Sequence, residues 1–296
     1  MDPLALALIA VSAVMHATWN ILLKTAGDSL RTATAGMVAA SVVFGPPIAV
    51  AWLLLGRPEI PPAAWLVTLV SSCVEVAYFV FLAAAYRRGD LSVIYPLARG
   101  TAPVIAVAVG VGILGERLSP TSWAGVALLI GGLVVVQRPW RLWGAAAHVR
   151  SGAAFALLTG TMIATYTSLD RVAVQLVPSW LYAGLLWPVS AAGLLVVALA
   201  RPRIAGGRFA PPPEPLERGK AVTGGLLTFI AYFLVLVALS LAPLAVIAPL
   251  RESAVLIAST WALLRLREAV SRREVVMRLG GSLLVLTGAV VLAAGR

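Results

Sequence analysis

Residues 78–97 begin Tyr-Phe-Val-Phe-Leu and end Val-Ile-Tyr-Pro-Leu. About 153 positions later, residues 232–250 begin Tyr-Phe-Leu-Val-Leu and end Val-Ile-Ala-Pro-Leu. Both copies lie in apolar blocks, and a bilayer-crossing helix needs about 20 such residues. A membrane chain built from two copies of one unit has few folds open to it. If each unit holds an odd number of spans, the second lies upside down against the first, and a pathway can form between them.

The repeat extends past this match. Ala17-Thr18-Trp19 with Lys24-Thr25-Ala26 parallels Ala164-Thr165-Tyr166 with Arg171-Val172-Ala173. Glu116, closing the fourth span, parallels Glu268 after the ninth. Gly131-Gly132 and Gly280-Gly281 mark close-packing faces on the fifth and tenth spans. The offsets run from about 147 to about 155, as unequal loops would produce. The expected fold class is an all-α membrane protein of ten transmembrane helices, arranged as two inverted five-helix repeats. The halves are 1–137 and 151–296, with a connector at 138–150.

The ten spans fall at about 4–23, 33–55, 63–86, 92–114, 119–136, 151–169, 179–200, 221–241, 244–264 and 275–294. Turn or charge signals separate them, among them Gly27-Asp28, Gly56-Arg57-Pro58, Asp170-Arg171 and Ala242-Pro243. Residues 201–220, with three consecutive prolines at 211–213, read as a solvated loop, and no soluble domain fits. Only 12% of the residues are charged, about half the share of a soluble domain. The net charge of +11 sits mostly in short loops, where it sets orientation rather than binding nucleic acid. Met1-Asp2-Pro3 lacks the positive charge of a cleavable signal, and the block behind it is long enough to span. The expected location is the cell (inner) membrane, as a multi-pass protein.

Enzyme chemistry finds little support. Two histidines and one cysteine, Cys73, cannot form a His/Cys metal cluster or an intramolecular disulfide. No Gly-rich loop precedes Lys-Ser/Thr, which argues against ATP drive. No cofactor is expected.

Two five-span halves, each with Pro-Leu in its fourth span and a Glu before a Gly-rich fifth, resemble the EamA-type transporters of the drug/metabolite superfamily. The most characteristic tracts are Val93-Ile94-Tyr95-Pro96-Leu97, Gly115-Glu116-Arg117-Leu118 and His16-Ala17-Thr18-Trp19-Asn20. The resemblance implies ten helices, an internal pseudo-twofold, a central cavity, and export or exchange of small metabolites without ATP hydrolysis. Two features depart from the family pattern: Arg251-Glu252 follows the second Pro-Leu where Ala98-Arg99 follows the first, and loop charge opposes the family's orientation.

Ionisable groups within a span are costly and face a cavity or a partner. Glu75, Arg99, Arg251 and Glu252 stand out, with His16 a milder case. Arg99 lies roughly 10 Å into its span at the helical rise. The repeat equates it with Glu252, so a twofold would set opposite charges on facing helices. Such a pair either locks the helices or opens for substrate, with Arg99 or Arg251 receiving a carboxylate. Burial disfavours a charged carboxylate, which makes Glu75 a candidate proton site, with a salt bridge to an arginine as the competing reading. His16, Trp19 and Asn20 share one face of the first span and suit either cavity lining or an interhelical hydrogen bond through Asn20. Tyr78, Tyr95, Tyr166 and Tyr232 can add an amphipathic wall, or serve as core. Pro96 and Pro249 each remove a backbone donor at equivalent sites, as packing kinks or paired hinges.

The reading is a transporter, secondary active or facilitative, for a small polar and most plausibly amino-acid-like metabolite, working by alternating access. Its partners are the small-molecule substrate, the lipid bilayer, and a proton or counter-substrate. A lipid-linked sugar flippase, a small multidrug-type exporter and, from another class, a membrane-embedded lipid enzyme are the alternatives.

Loops after odd-numbered spans carry Lys24, Arg87, Arg88, Arg138, Arg141, Arg201, Arg265 and their neighbours, against Arg57, Arg117, Arg171 and Arg296 opposite. This bias predicts termini outside and the connector in the cytoplasm. An impermeant reagent should then label a terminal tag on intact cells; labelling only after permeabilisation gives the family's reverse orientation.

Overall fold

A bilayer offers no water to backbone N–H and C=O groups, so a spanning chain must pair them within itself. The computed structural model describes residues 2–89, 91–137, 147–204, 215–252 and 271–295, and among these the regular structure is helical throughout. The elements are α1 (Pro3–Thr25), α2 (Ser29–Leu54), α3 (Pro62–Tyr86), α4 (Leu91–Gly112), α5 (Pro120–Gln137), α6 (Ala147–Leu176), α7 (Ser179–Ile204), α8 (Arg218–Leu241), α9 (Leu244–Arg251) and α10 (Arg272–Ala294). Six of them (α1, α2, α3, α6, α7 and α8) are long and apolar enough to cross a membrane; α4, α5 and α10 carry shorter apolar stretches. The predicted ninth span runs on into residues 253–270, which lie outside the described residues, as do Glu268 and most of the connector.

The break signals act as caps and turns. Asp28 accepts the Arg31 N–H at 3.1 Å and starts α2. Proline stands at the head of α1 and α3 and just before α9, where its missing donor costs nothing. Gly56 and Arg57 turn with positive φ, at 80° and 54°.

One predicted boundary moves. The Asp170-Arg171 pair lies inside α6, which continues to Leu176 before Pro178 stops it. The longer helix is possible because both charged side chains find partners on neighbouring helices, described below.

The distribution of side chains is that of a protein bathed in lipid. Val42, Leu54, Ile113, Leu199 and Val290 are exposed, whereas Glu75, Arg99, Asp170, Arg251 and Glu252 are buried. Water would favour the reverse.

Helices pack across the sequence halves: α1 on α8, α3 on α6, α2 on α7 and α8, and α5 on α10. Small residues make the close approaches. Gly36 of α2 meets Gly225 of α8 backbone to backbone. On the α5–α10 contact, Gly125 faces Leu292, Gly132 faces Val285 and Gly281, and Gly281 faces Val136. Positions rising along α5 meet positions falling along α10, so these two helices run antiparallel.

Only one glycine of each predicted pair is at the interface. A methyl group on Gly132 would lie 2.6 Å from the Gly281 carbonyl oxygen, whereas one on Gly131 would meet nothing within 4 Å. Backbone cannot step aside as a side-chain tip can. Gly132→Ala should therefore cost about 1–3 kcal/mol, the usual scale of overpacking. Gly131→Ala should be neutral or stabilising, since glycine within a helix is the poorer former. Thermal unfolding of the two variants in detergent checks the contrast.

Candidate functional site

The buried charges gather where α1, α3, α4, α6, α7, α8 and α9 meet. Arg99 extends from α4, and its Nη1 lies 3.4 Å from Glu252 Oε1 at the end of α9. Both side chains are almost wholly excluded from solvent, at 2% and 1% exposure, so Arg99 does not snorkel. The repeat-related residues of opposite charge do face each other.

Arg99 also reaches α1, where its Nη2 is 3.4 Å from His16 Nδ1. Trp19 Nε1 donates to the same His16 nitrogen at 2.8 Å. Donors converging on Nδ1 place the neutral imidazole proton on Nε2. Asn20 donates to the His16 carbonyl at 2.8 Å and accepts the Tyr86 hydroxyl at 2.9 Å. Of the two readings of this face, the interhelical hydrogen bond through Asn20 is thus made, and it ties α1 to α3.

Arg251 points to α6. Its Nη2 donates to the Tyr166 hydroxyl at 2.8 Å and its Nη1 to Thr167 Oγ1 at 3.1 Å, while Nε has no partner among the described residues. A void of about 10 Å³, bounded by Thr167, Arg251, Glu252 and alanines of α4, α6 and α9, adjoins it. That is space for about one water molecule. The expected mid-membrane hollow is closed down, with polar groups packed on one another.

Glu75 of α3 accepts from Ser190 of α7 at 2.7 Å, and among the described residues no arginine forms a salt bridge with it. Among the described residues the Glu75 carboxylate thus faces a serine of α7 rather than an arginine. Tyr78, Tyr166, Tyr232 and Trp187 form a row of rings with centroids 5.6, 6.2 and 5.2 Å apart, spanning α3, α6, α8 and α7. The side chains of Tyr95 and Pro96 lie outside the described residues. Pro249 is buried inside α9, two residues before that helix ends at Arg251.

Sequence reasoning missed Asp170. The residue is wholly buried, and its Oδ1 accepts from Ser71 of α3 at 3.1 Å and Tyr182 of α7 at 2.8 Å. An Asp-Arg pair at the foot of an apolar block reads as a loop, although its match to the Lys24 region of the repeat hinted at a structural place.

Matched cations fasten the helix corners around this cluster. Lys24 donates to the carbonyls of Tyr86 and Gly89 at 2.7 and 3.0 Å, holding the α3–α4 corner. Its repeat counterpart Arg171 donates to the Leu239 carbonyl near the end of α8. Cations suit helix C-termini, where unpaired carbonyls concentrate negative potential. Glu116 completes the second corner: it accepts the Leu244 and Ala245 N–H groups at 2.7 and 2.8 Å, capping α9, and its Oε1 lies 3.4 Å from Arg171 Nε. Among the described residues no group of three His, Cys, Asp or Glu could hold a metal ion.

This geometry accords with what the chain is similar to. Residues 3–138 match the model of the EamA-like transporter family. Relatives include the spermidine export protein MdtI of Salmonella paratyphi B and that of Salmonella enteritidis, each 36% identical over 69 residues. That match covers 23% of this chain and 63% of those relatives. A crystal structure of another protein, 19% identical, superposes with a TM-score of 0.69 over 98% of this chain and 96% of its own. The likeness there is of fold. With six described helices long and apolar enough to cross a membrane, the chain has the build of a multi-pass membrane protein.

Breaking a buried ion pair from one side strands the other charge, which costs about 3–5 kcal/mol. Arg99→Met should lose that much, and the double variant Arg99→Met/Glu252→Met should recover most of it. Chemical or thermal unfolding of the three proteins in detergent measures the difference.

Proposed function

We propose that this chain is a secondary active or facilitative transporter that exports or exchanges a small, amino-acid-like metabolite across the cell (inner) membrane by alternating access. In this reading, 1–137 and 151–296 are inverted halves joined at 138–150, and substrate binds between them. The antiparallel α5–α10 contact and the matched Lys24 and Arg171 corners support the inversion.

The observation that carries the proposal is the buried polar cluster at the seam of the halves. Arg99 and Glu252, one from each half, meet in an interior that gives an idle charge no compensation. Arg251 presents an Nε with no partner among the described residues beside a small void, a donor placed for a carboxylate. Glu252 is the counter-charge or gate, and Glu75 the candidate proton site. His16, Trp19, Asn20, Tyr78, Tyr95, Tyr166 and Tyr232 complete the wall, with Pro96 and Pro249 as hinges. The void is too small for a metabolite, so this conformation reads as an occluded one, and rocking of the halves would open it to each side in turn. The relatives' name, spermidine export, supports outward movement of a small nitrogenous solute. Two buried arginines argue for a ligand that also carries negative charge.

A lipid-linked sugar flippase is the second reading. It is favoured by an apolar recess of about 300 Å³ between α2, α7 and α8, lined by Phe44, Ile48, Trp180, Phe229 and Phe233, where an acyl chain could lie. The buried charged cluster favours a water-soluble substrate.

Flux of radiolabelled amino acids, sugars and amines into proteoliposomes separates these readings. Saturable amino-acid flux is expected, and Arg251→Gln should lower it at least tenfold with the melting profile kept. Full flux in that variant removes Arg251 from the site, and transport confined to lipid-linked substrates establishes the flippase.

A further inference from the structure

The cluster holds three carboxyl groups, Glu75, Asp170 and Glu252, against two guanidinium groups, Arg99 and Arg251. Of the three, only Glu252 has an arginine in ion-pair contact among the described residues. Glu75 and Asp170 lie within electrostatic reach of each other and of Arg251, yet their described hydrogen-bond partners are neutral hydroxyls. A buried carboxylate without a cation is expensive, so such a position suits a charge that arrives from outside.

A second observation points to the same place. Asp170 is 0% exposed and spends its Oδ1 on Ser71 and Tyr182, while Oδ2 has no partner among the described residues. The Tyr232 hydroxyl, itself buried at 3% exposure, lies against Asp170 as a weakly placed donor and has no other partner among the described residues. A carboxylate oxygen and a phenol oxygen thus lie side by side with lone pairs to spare. Rings surround them: Tyr232 is tilted onto Trp187 at 5.2 Å and onto Tyr166 at 6.2 Å. A primary ammonium offers three donors and is attracted to aromatic faces, which matches a carboxylate, a phenol oxygen and ring walls.

We propose that Asp170, with Glu75 and Tyr232 beside it and Tyr166 and Trp187 as walls, is the seat for a primary ammonium group of the substrate. The proposal rests on the transport reading and completes it. Arg251 on the same helix cluster takes the carboxylate and Asp170 the ammonium, so the site selects a zwitterion over a simple acid. Ser71 and Tyr182 hold the Asp170 carboxylate in position by donating to its other oxygen. The seat is built from α3, α6, α7 and α8, so occupancy draws together helices from both halves.

Three probes of one skeleton test it on the purified full chain in detergent by titration calorimetry: L-leucine, 3-methylbutylamine, which lacks the carboxylate, and 4-methylpentanoate, which lacks the ammonium. Asp170→Asn keeps an oxygen for Ser71 and Tyr182 while removing the charge. It should weaken 3-methylbutylamine and leucine at least tenfold and leave 4-methylpentanoate unchanged. Tyr232→Phe, which deletes a hydroxyl whose one described neighbour of this kind is Asp170, should weaken the amine as well and serves if Asp170→Asn fails to fold. Absence of amine binding to the unmodified protein overturns the seat, as does undiminished amine binding in both variants. Equal weakening of all three probes makes Asp170 a structural residue and also overturns it. Amine binding that depends on Asp170, without any carboxylate preference, supports the seat and instead removes the zwitterion from the transport reading.

Discussion

The Arg99–Glu252 contact is the constraint around which the rest is arranged. Two full charges sit in a low-dielectric interior with almost no solvent, and neither can be abandoned by the other without a large penalty. Because one belongs to α4 and the other closes α9, the pair holds the two sequence halves together at mid-protein. It also recruits α1, through the His16 nitrogen that Arg99 shares with Trp19. A contact of this kind stabilises one arrangement strongly and is therefore suited to being exchanged, as a unit, for a ligand of matching charge.

The corners show a complementary economy. Lys24 and Arg171 match each other in the sequence repeat, and each spends its charge on carbonyls at the end of the third helix of its own half. Glu116 performs the opposite task, supplying negative charge to the α9 N-terminus. Helix ends in or near lipid have no water to satisfy them, so these side chains replace the solvent. Fixed corners leave the centre as the place where polar groups can be rearranged.

Much of the architecture was legible from the chain. Apolar blocks gave the helices, and the match of 78–97 with 232–250 put Arg99 in register with Glu252, from which their opposition could be anticipated. The pairs Gly131-Gly132 and Gly280-Gly281 were readable as contact faces, though not which glycine of each pair would touch. Glu75 was visible as an acid within a span, but its partner was not, because Ser190 is a common residue 115 positions away. Asp170 was hidden for the same reason. Its neighbour Arg171 made it look like a loop residue, and only Ser71 and Tyr182, arriving from α3 and α7, explain its burial.

Local chemistry by itself determined the helices, their caps and their preference for lipid, since those depend on hydropathy, proline and hydrogen-bond donors close in the chain. Tertiary structure alone decided which buried charges are paired and which are left open. That outcome turns on side chains brought together across a hundred or more residues, and electrostatic energy in a dry interior varies too steeply with distance to be read from spacing along a sequence.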